Sequence, residues 1–167
     1  MVRQSSRPSR RNANQEPPEF MQKMIDLRRV ARVVAGGRRF NFRATVVAGN
    51  RKGEVGIGIG KGADTAAAMQ KAFRNARRLS IRVPITEASS IPHMVDGKFA
   101  SARVLIRPAA AGHGLVAGSS VRAVLDLAGV RNASAKILSH TKNKVTNAEA
   151  AIAALMMLKS SHAAKRA

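Results

Sequence analysis

The chain begins with runs that alternate hydrophobic and polar residues, and the pattern changes to helical spacing three times further along. From about Met24 to Ala35 the chain is rich in Val and Arg, and Gly36-Gly37 then separates it from a second run, Arg38 to Ala48. Two residues able to take positive φ between two strand-like runs predict a hairpin. In the second run Phe40, Phe42, Ala44 and Val46 fall on one face, and Arg39, Asn41, Arg43 and Thr45 on the other. That alternation predicts one packed face and one basic face. The segment GNRKG, Gly49 to Gly53, reads as a second turn with Arg51 and Lys52 at its tip. In a third strand, Glu54 to Lys61, Val55, Ile57 and Ile59 alternate with Gly56, Gly58 and Gly60, a glycine face that lets a helix approach closely. Asp64 or Thr65 then caps a helix to about Leu79, with Ala68, Met69, Ala72, Phe73, Ala76 and Leu79 on its buried stripe.

Pro84 and the SSIP segment at Ser89 to Pro92 mark a boundary, beyond which Asp96-Gly97 is expected at a hairpin turn and Ala102 to Arg107 in a strand. The loop RPAAAGHG leads into a helix from about Ser119 to Ala128 that buries Val121, Val124, Leu125 and Ala128, with Gly129 as its C-cap. A strand near Ala133 to Ser139 and a helix from about Thr146 to Leu158, with Ala148, Ile152, Leu155 and Met156 inward, complete the pattern. The order is β-β-β-α and then β-β-α-β-α, an α+β fold in two small domains. The expected division is a disordered basic tail at 1–19, a first domain at 20–83, a second at 84–159 and a basic tail at 160–167.

Composition changes this picture through charge. Thirty Lys and Arg against nine Asp and Glu give the 167 residues a net charge of +21, far beyond what solubility requires. Residues 28–82 hold fourteen basic and two acidic residues, net +12, so more than half of the excess lies in one third of the chain. A polyanionic partner is implied. There is no Cys, which excludes disulfides and thiolate metal sites. No apolar stretch approaches the roughly 18 to 20 residues of a membrane span, and no secretory signal is expected.

The chemical motifs give catalysis little support. A Walker loop would need Ser or Thr after Lys61 and Gly at position 55, where the chain has Gly62 and Val55. Gly58, Gly60 and Ala63 meet a permissive dinucleotide pattern, but tight hairpins before it exclude the βαβ unit it requires. Gly112, Gly114, Ser119 and Ser120 resemble the phosphate loop of one superfamily of small-molecule kinases, at a helix N-terminus, without an acid placed for Mg²⁺. Helix capping or an RNA phosphate contact is the preferred reading of that loop. His93, His113, His140 and His162 are scattered, and no metal or cofactor is expected. The strongest constellation is basic: Arg38, Arg39, Arg43, Arg51, Lys52, Lys61, Lys71, Arg74, Arg77 and Arg78, all in the βββα unit. Arg predominates over Lys there, which suits planar, hydrogen-bonded contact with phosphate and base edges. With 3% aromatic residues and neither Trp nor Tyr, base stacking is not the main mode, and folded RNA gripped through backbone and shape fits better than a single strand.

Three long stretches carry a resemblance: RVARVVAGGRRFNFRATVVAGN, GEVGIGIGKGADTAAAMQKAFRNARR and RPAAAGHGLVAGSSVRAVLDLAGVRNASAKILSHTKNKVTNAEA. In this order, between about Phe20 and Leu158, they resemble the bacterial form of the fifth protein of the small ribosomal subunit, a universal ribosomal family. The resemblance implies an N-terminal domain similar to a double-stranded-RNA-binding domain. It also implies a C-terminal domain of the superfold shared with those kinases, without their activity. It further implies a cytoplasmic, nonenzymatic constituent of the ribosome that binds small-subunit rRNA, neighbours the fourth and eighth proteins near the point where mRNA enters, and influences decoding accuracy. Gly36, Gly37 and Arg38 match the family's loop toward the subunit head, a region linked to spectinomycin sensitivity. Ala35 stands where many members have a basic residue, and Ile59 and Gly62 where an aromatic residue and Ala are common. The alternatives are an RNA- or DNA-binding module outside the ribosome and a small-molecule kinase binding ATP at Gly112 to Ser120.

Overall fold

The computed structural model describes residues 20–159; the tails expected at 1–19 and 160–167 lie outside them. Strands β1 (Met21–Val34), β2 (Gly37–Gly49) and β3 (Glu54–Gly62) form an antiparallel meander, followed by helix α1 (Thr65–Arg78) and the short strand β4 (Ile81–Arg82), which pairs with β3. Strands β5 (Val95–Phe99), β6 (Ala102–Pro108), β7 (Leu115–Val116) and β8 (Ala133–Ile137), with helices α2 (Ser119–Ala128) and α3 (Lys144–Met156), make the second unit. Its sheet has the order β5-β6-β8-β7, with β7 parallel to β8. The α+β class and its two domains are as expected, while β4 and β7, two residues each, carry too short a pattern to read.

Glycines and alanines seat α1. A Cβ on Gly56, Gly58 or Gly60 would come within about 2.1 to 2.3 Å of the carbonyl oxygens of Ala76, Ala72 and Ala68, so only the absence of a side chain lets the helix lie there. Ala68, Ala72 and Ala76 recur at every fourth position and are fully buried against this strand. The Asp64 carboxylate accepts from the Thr65 N–H to start the helix, and Arg77 and Arg78 in its last turn complement the dipole. Leu79, expected on the stripe, is instead the exposed C-cap residue, because the buried stripe ends at Ala76.

The other face of the meander is also covered. From Ala44 to Gly49 every residue of β2 is buried, so the expected basic face exists only in the first part of that strand. Val47, Val55 and Ile57 share one core with Val121, Val124, Leu125 and Leu127 of the second unit. The GNRKG turn locks this junction. The Arg51 N–H donates to Leu127 O at 3.0 Å and the Gly53 N–H to Ala128 O at 2.9 Å, satisfying carbonyls that the end of α2 leaves open. Gly129 closes that helix at φ 97, with the Val130 N–H donating to Leu125 O and its own to Asp126 O, the expected C-cap. The boundary segment packs rather than swings: Ile91 is buried in the shared core, and Ser90 Oγ donates to Asn132 O at 2.6 Å.

Two further expectations change. Asp96-Gly97 lies within β5, and the hairpin turns at Ala100-Ser101, with Ala100 at φ 50. Gly97 serves instead as a seat for α3, since a Cβ there would lie 2.4 Å from Ala154 N. Met156 is exposed at the end of α3, whose inner side is carried by Ala148, Ala151, Ile152 and Leu155. That helix starts two residues earlier than expected, where the Asn143 side chain accepts from the Val145 N–H.

Candidate nucleic-acid interface

Strand lengths build the interface. β3 pairs with β2 only as far as Phe42 opposite Gly62, but β1 and β2 continue together for five more residue pairs, Val30 opposite Asn41 to Val34 opposite Gly37. At about 3.3 Å per residue, this two-stranded ribbon projects roughly 17 Å past the sheet. A ribbon without a third strand buries little, and its residues from Ala31 to Val33 and Gly37 to Asn41 are exposed. The turn residues are Ala35-Gly36, not Gly36-Gly37. Gly37 takes φ +125 as the first residue of β2, and Gly36 has no positive φ.

Register puts like charges opposite each other. Arg32 faces Arg39 on the ribbon, and Arg28 faces Arg43 just below it, where β3 joins; the four guanidinium groups share one face, with Asn41 between the two pairs. Cross-strand like charges repel. Arg28 finds a carboxylate in Asp26, Nε to Oδ2 at 2.7 Å; the other three have no ion-pair partner among the described residues. On the opposite face Arg29 stacks over the Phe40 ring at 3.7 Å, which orders both. Sequence alone does not single out Arg28, Arg29 and Arg32. Their Val/Arg-rich strand reads as basic, but only the pairing register places Arg28 and Arg32 beside Arg43 and Arg39, and Arg29 over Phe40 on the other face.

The remaining predicted residues divide into three places. Lys71, Arg74, Arg77 and Arg78 are exposed along α1, and Lys61 is exposed near its start. The Arg77 guanidinium also lies over Phe20, 5.6 Å from the ring centre. Arg78 shares a cleft of about 400 Å³ with Ile59, Asn75, Leu79 and Glu149. Burial raises the Glu149 carboxyl above its ordinary value. Arg51 and Lys52 stand apart, at the end of the sheet that docks on α2. Arg51 has φ 54, its backbone holds Leu127, and its guanidinium is 3.6 Å from Asp126, so it serves the junction between the two units.

The candidate phosphate loop is partly occupied by its own chain. Gly112 and Gly114 take φ 88 and 78, and Gly118 caps α2 without a side-chain bond. The Gly114 N–H donates to Asn132 Oδ1, and Ser120 is buried, leaving Ser119 exposed at the helix start. Among the described residues no group of His, Asp and Glu gathers to hold a metal ion, and no helix is long and apolar enough to cross a membrane.

Residues 20–84 match the family described as Ribosomal protein S5, N-terminal domain, and residues 97–166 match Ribosomal protein S5, C-terminal domain. The chain is 44% identical over 154 residues to small ribosomal subunit protein uS5c of Rhodomonas salina, covering 90% of this chain and 91% of that one. It is 46% identical over 153 residues to uS5 of Nostoc sp. (strain PCC 7120), covering 90% and 87%. The uS5 of Thermosynechococcus vestitus is 48% identical over 141 residues, covering 84% and 80%. Both halves match in order across nearly the whole folded region, and the chain belongs to the ribosomal protein S5 family, a structural, nonenzymatic component of the small ribosomal subunit.

Proposed function

We propose that the chain binds small-subunit rRNA through the ribbon and the outer side of α1, with Arg32, Arg38, Arg39, Arg43, Arg74 and Arg78 contacting phosphates. The observation that carries this reading is the cross-strand pairing of Arg32 with Arg39 and of Arg28 with Arg43. Such pairs repel in the free protein, and a polyanion laid across them removes the repulsion while gaining charge-assisted hydrogen bonds. Lys61, Lys71 and Arg77 extend the same surface; Gly36, Gly37 and Arg38 form its tip, toward the subunit head. Lys52, and Arg51 where its guanidinium extends beyond Asp126, mark a lesser contact at the far end. Ser119, with Gly112 and Gly114 beside it, is a minor phosphate candidate. In the assembled subunit the chain neighbours the fourth and eighth proteins, lies near mRNA where it enters, and supports decoding accuracy.

Changing Arg74 and Arg78 together to Ala tests the helix contribution. Filter binding to small-subunit rRNA should weaken by roughly tenfold, and the salt dependence of log K should become shallower by about one to two units. The circular dichroism of the helix should not change, since both side chains are exposed. Unchanged affinity at every salt concentration would refute a phosphate role for this pair.

A further inference from the structure

The first sheet has an open edge. β4 pairs with β3 only at Glu54 and Val55, so from Ile57 onward β3 has β2 on one side and no strand on the other among the described residues. The cleft of about 400 Å³ lies along this edge, between the end of α1 and the first half of α3. Ile57, Ile59 and Leu79 give it apolar walls, and Ile59 and Leu79 remain 42% and 64% exposed. The Asn75 side-chain N–H donates to Ile59 O at 2.9 Å. Arg78 is exposed at the rim, and Glu149 is half-buried on the side of α3.

Glu149 stands apart from the paired acids of the fold. Asp26, Asp96 and Asp126 each lie beside an arginine, Asp64 caps α1, and Glu54 accepts from Asn50. Glu149 has no ion-pair or hydrogen-bond partner among the described residues, and burial alone acts on its carboxyl. A carboxylate accepts and cannot donate, so withdrawing it from water is a cost until a ligand supplies N–H groups.

We infer that this cleft holds one unpaired guanine of the small-subunit rRNA, with Glu149 accepting from its N1–H and N2–H. The inference rests on the rRNA-binding reading above and deepens it, adding a base-specific subsite to a surface otherwise made of phosphate contacts. Guanine is the base whose pairing edge carries two adjacent N–H donors, a match for the two oxygens of a carboxylate. Adenine and cytosine set an acceptor nitrogen beside their amino group, and uracil flanks its one N–H with carbonyls. Each would bring a lone pair against a carboxylate oxygen. The volume lies within the roughly 300 to 1,000 Å³ of small-ligand pockets, enough for one purine. Ile59 and Leu79 offer the ring aliphatic contact, and Arg78 takes the adjoining phosphate.

Other occupants meet obstacles. An added peptide strand would need the Ile59 carbonyl, which Asn75 already holds. A lysine or arginine side chain bound for Glu149 would have to pass Arg78 at the rim. RNA is drawn by that same charge, since Lys71 and Arg74 continue it along α1.

The test probes the complex of the full chain and small-subunit rRNA with kethoxal, which modifies guanine at N1 and N2. The parent should protect a guanine that reacts in the Glu149→Ala and Glu149→Gln complexes. Affinity should fall about fivefold or more in both, the lower end for one bidentate base contact. The salt slope should keep the parent's value, because no phosphate contact is lost. The glutamine variant keeps the size of the side chain, so a loss there is not a packing effect. Identical kethoxal patterns for the parent and both variants, or changes confined to adenines and cytosines probed with dimethyl sulfate, overturn the subsite while the salt-dependent binding stands. A parent that shows no salt-dependent binding to the rRNA overturns the underlying reading with it.

Discussion

β3 and β5 both carry glycines where a helix crosses, and in both cases the helix answers with alanine. A Cβ on Gly58 would lie 2.1 Å from Ala72 O, and one on Gly97 2.4 Å from Ala154 N. The two regions differ in what they leave outside. α1 presents four exposed Lys and Arg and stands beside a ribbon of arginines, whereas the sheet under α3 presents leucines between scattered basic residues. The same packing device therefore lies beneath two unlike surfaces. Small residues at the strand-helix contact carry the fold, and exposed residues can be changed to different ends without disturbing it.

The largest effect should come from filling the first of these contacts. Gly58→Val has to displace α1 or the strand, and its loss of stability should exceed about 3 kcal/mol, at the upper end of overpacking costs, read as the shift in a urea midpoint. A midpoint close to the parent's would show that the contact is looser than the geometry implies. Next, Arg32→Ala with Arg39→Ala should cut rRNA affinity by roughly tenfold while the thermal midpoint holds or rises slightly, because the pair repels in the free protein. A lowered midpoint would mean these arginines stabilise the ribbon.

A smaller contrast separates Gly36 in the turn from Gly37 at the start of β2. Gly37→Val places a β-branched residue at φ +125 and should cost about 1 to 3 kcal/mol, whereas Gly36→Val, with open space and no positive φ, should stay within about 0.5 kcal/mol. Equal effects would refute the turn as described. The smallest effect belongs to Glu149. Its carboxyl is raised by burial, so the folded protein holds that proton more tightly than the unfolded chain does. Ionised Glu149 is then a net cost at neutral pH, relieved as pH falls through the raised value and absent below the ordinary one. Glu149→Gln should raise the thermal midpoint slightly at pH 7 and leave it unchanged in mild acid; a lower midpoint at pH 7 would show that the carboxylate has a stabilising partner.

Much of this was legible in the residues. The glycine alternation of β3, the cap at Asp64, the helices α1 and α2 and the αL glycine at 129 each follow from local chemistry. Turn position was less legible because glycine does two jobs. At Gly97 it clears space for a helix, so Asp-Gly lies inside a strand. At Gly36-Gly37 the expected turn falls one residue late, and a one-residue error in a turn moves every cross-strand pair by two. Arg32 would then face Asn41 instead of Arg39, hiding the paired arginines that organise the site. Long-range docking is hidden for a different reason: GNRKG reads as an exposed tip, and nothing within those five residues says that their amides close the end of α2.

The salt dependence of rRNA binding tests the central claim most directly. Equilibrium binding of the full chain to small-subunit rRNA, measured from low to moderate salt, should give a steep negative slope of log K against log salt. In the variant with Arg32, Arg39, Arg74 and Arg78 all changed to Ala, that slope should be shallower by about two to four units, up to one for each phosphate no longer neutralised. A variant that folds normally yet keeps the parent's slope and affinity would contradict the assignment of the ribbon and α1 as the rRNA-binding surface.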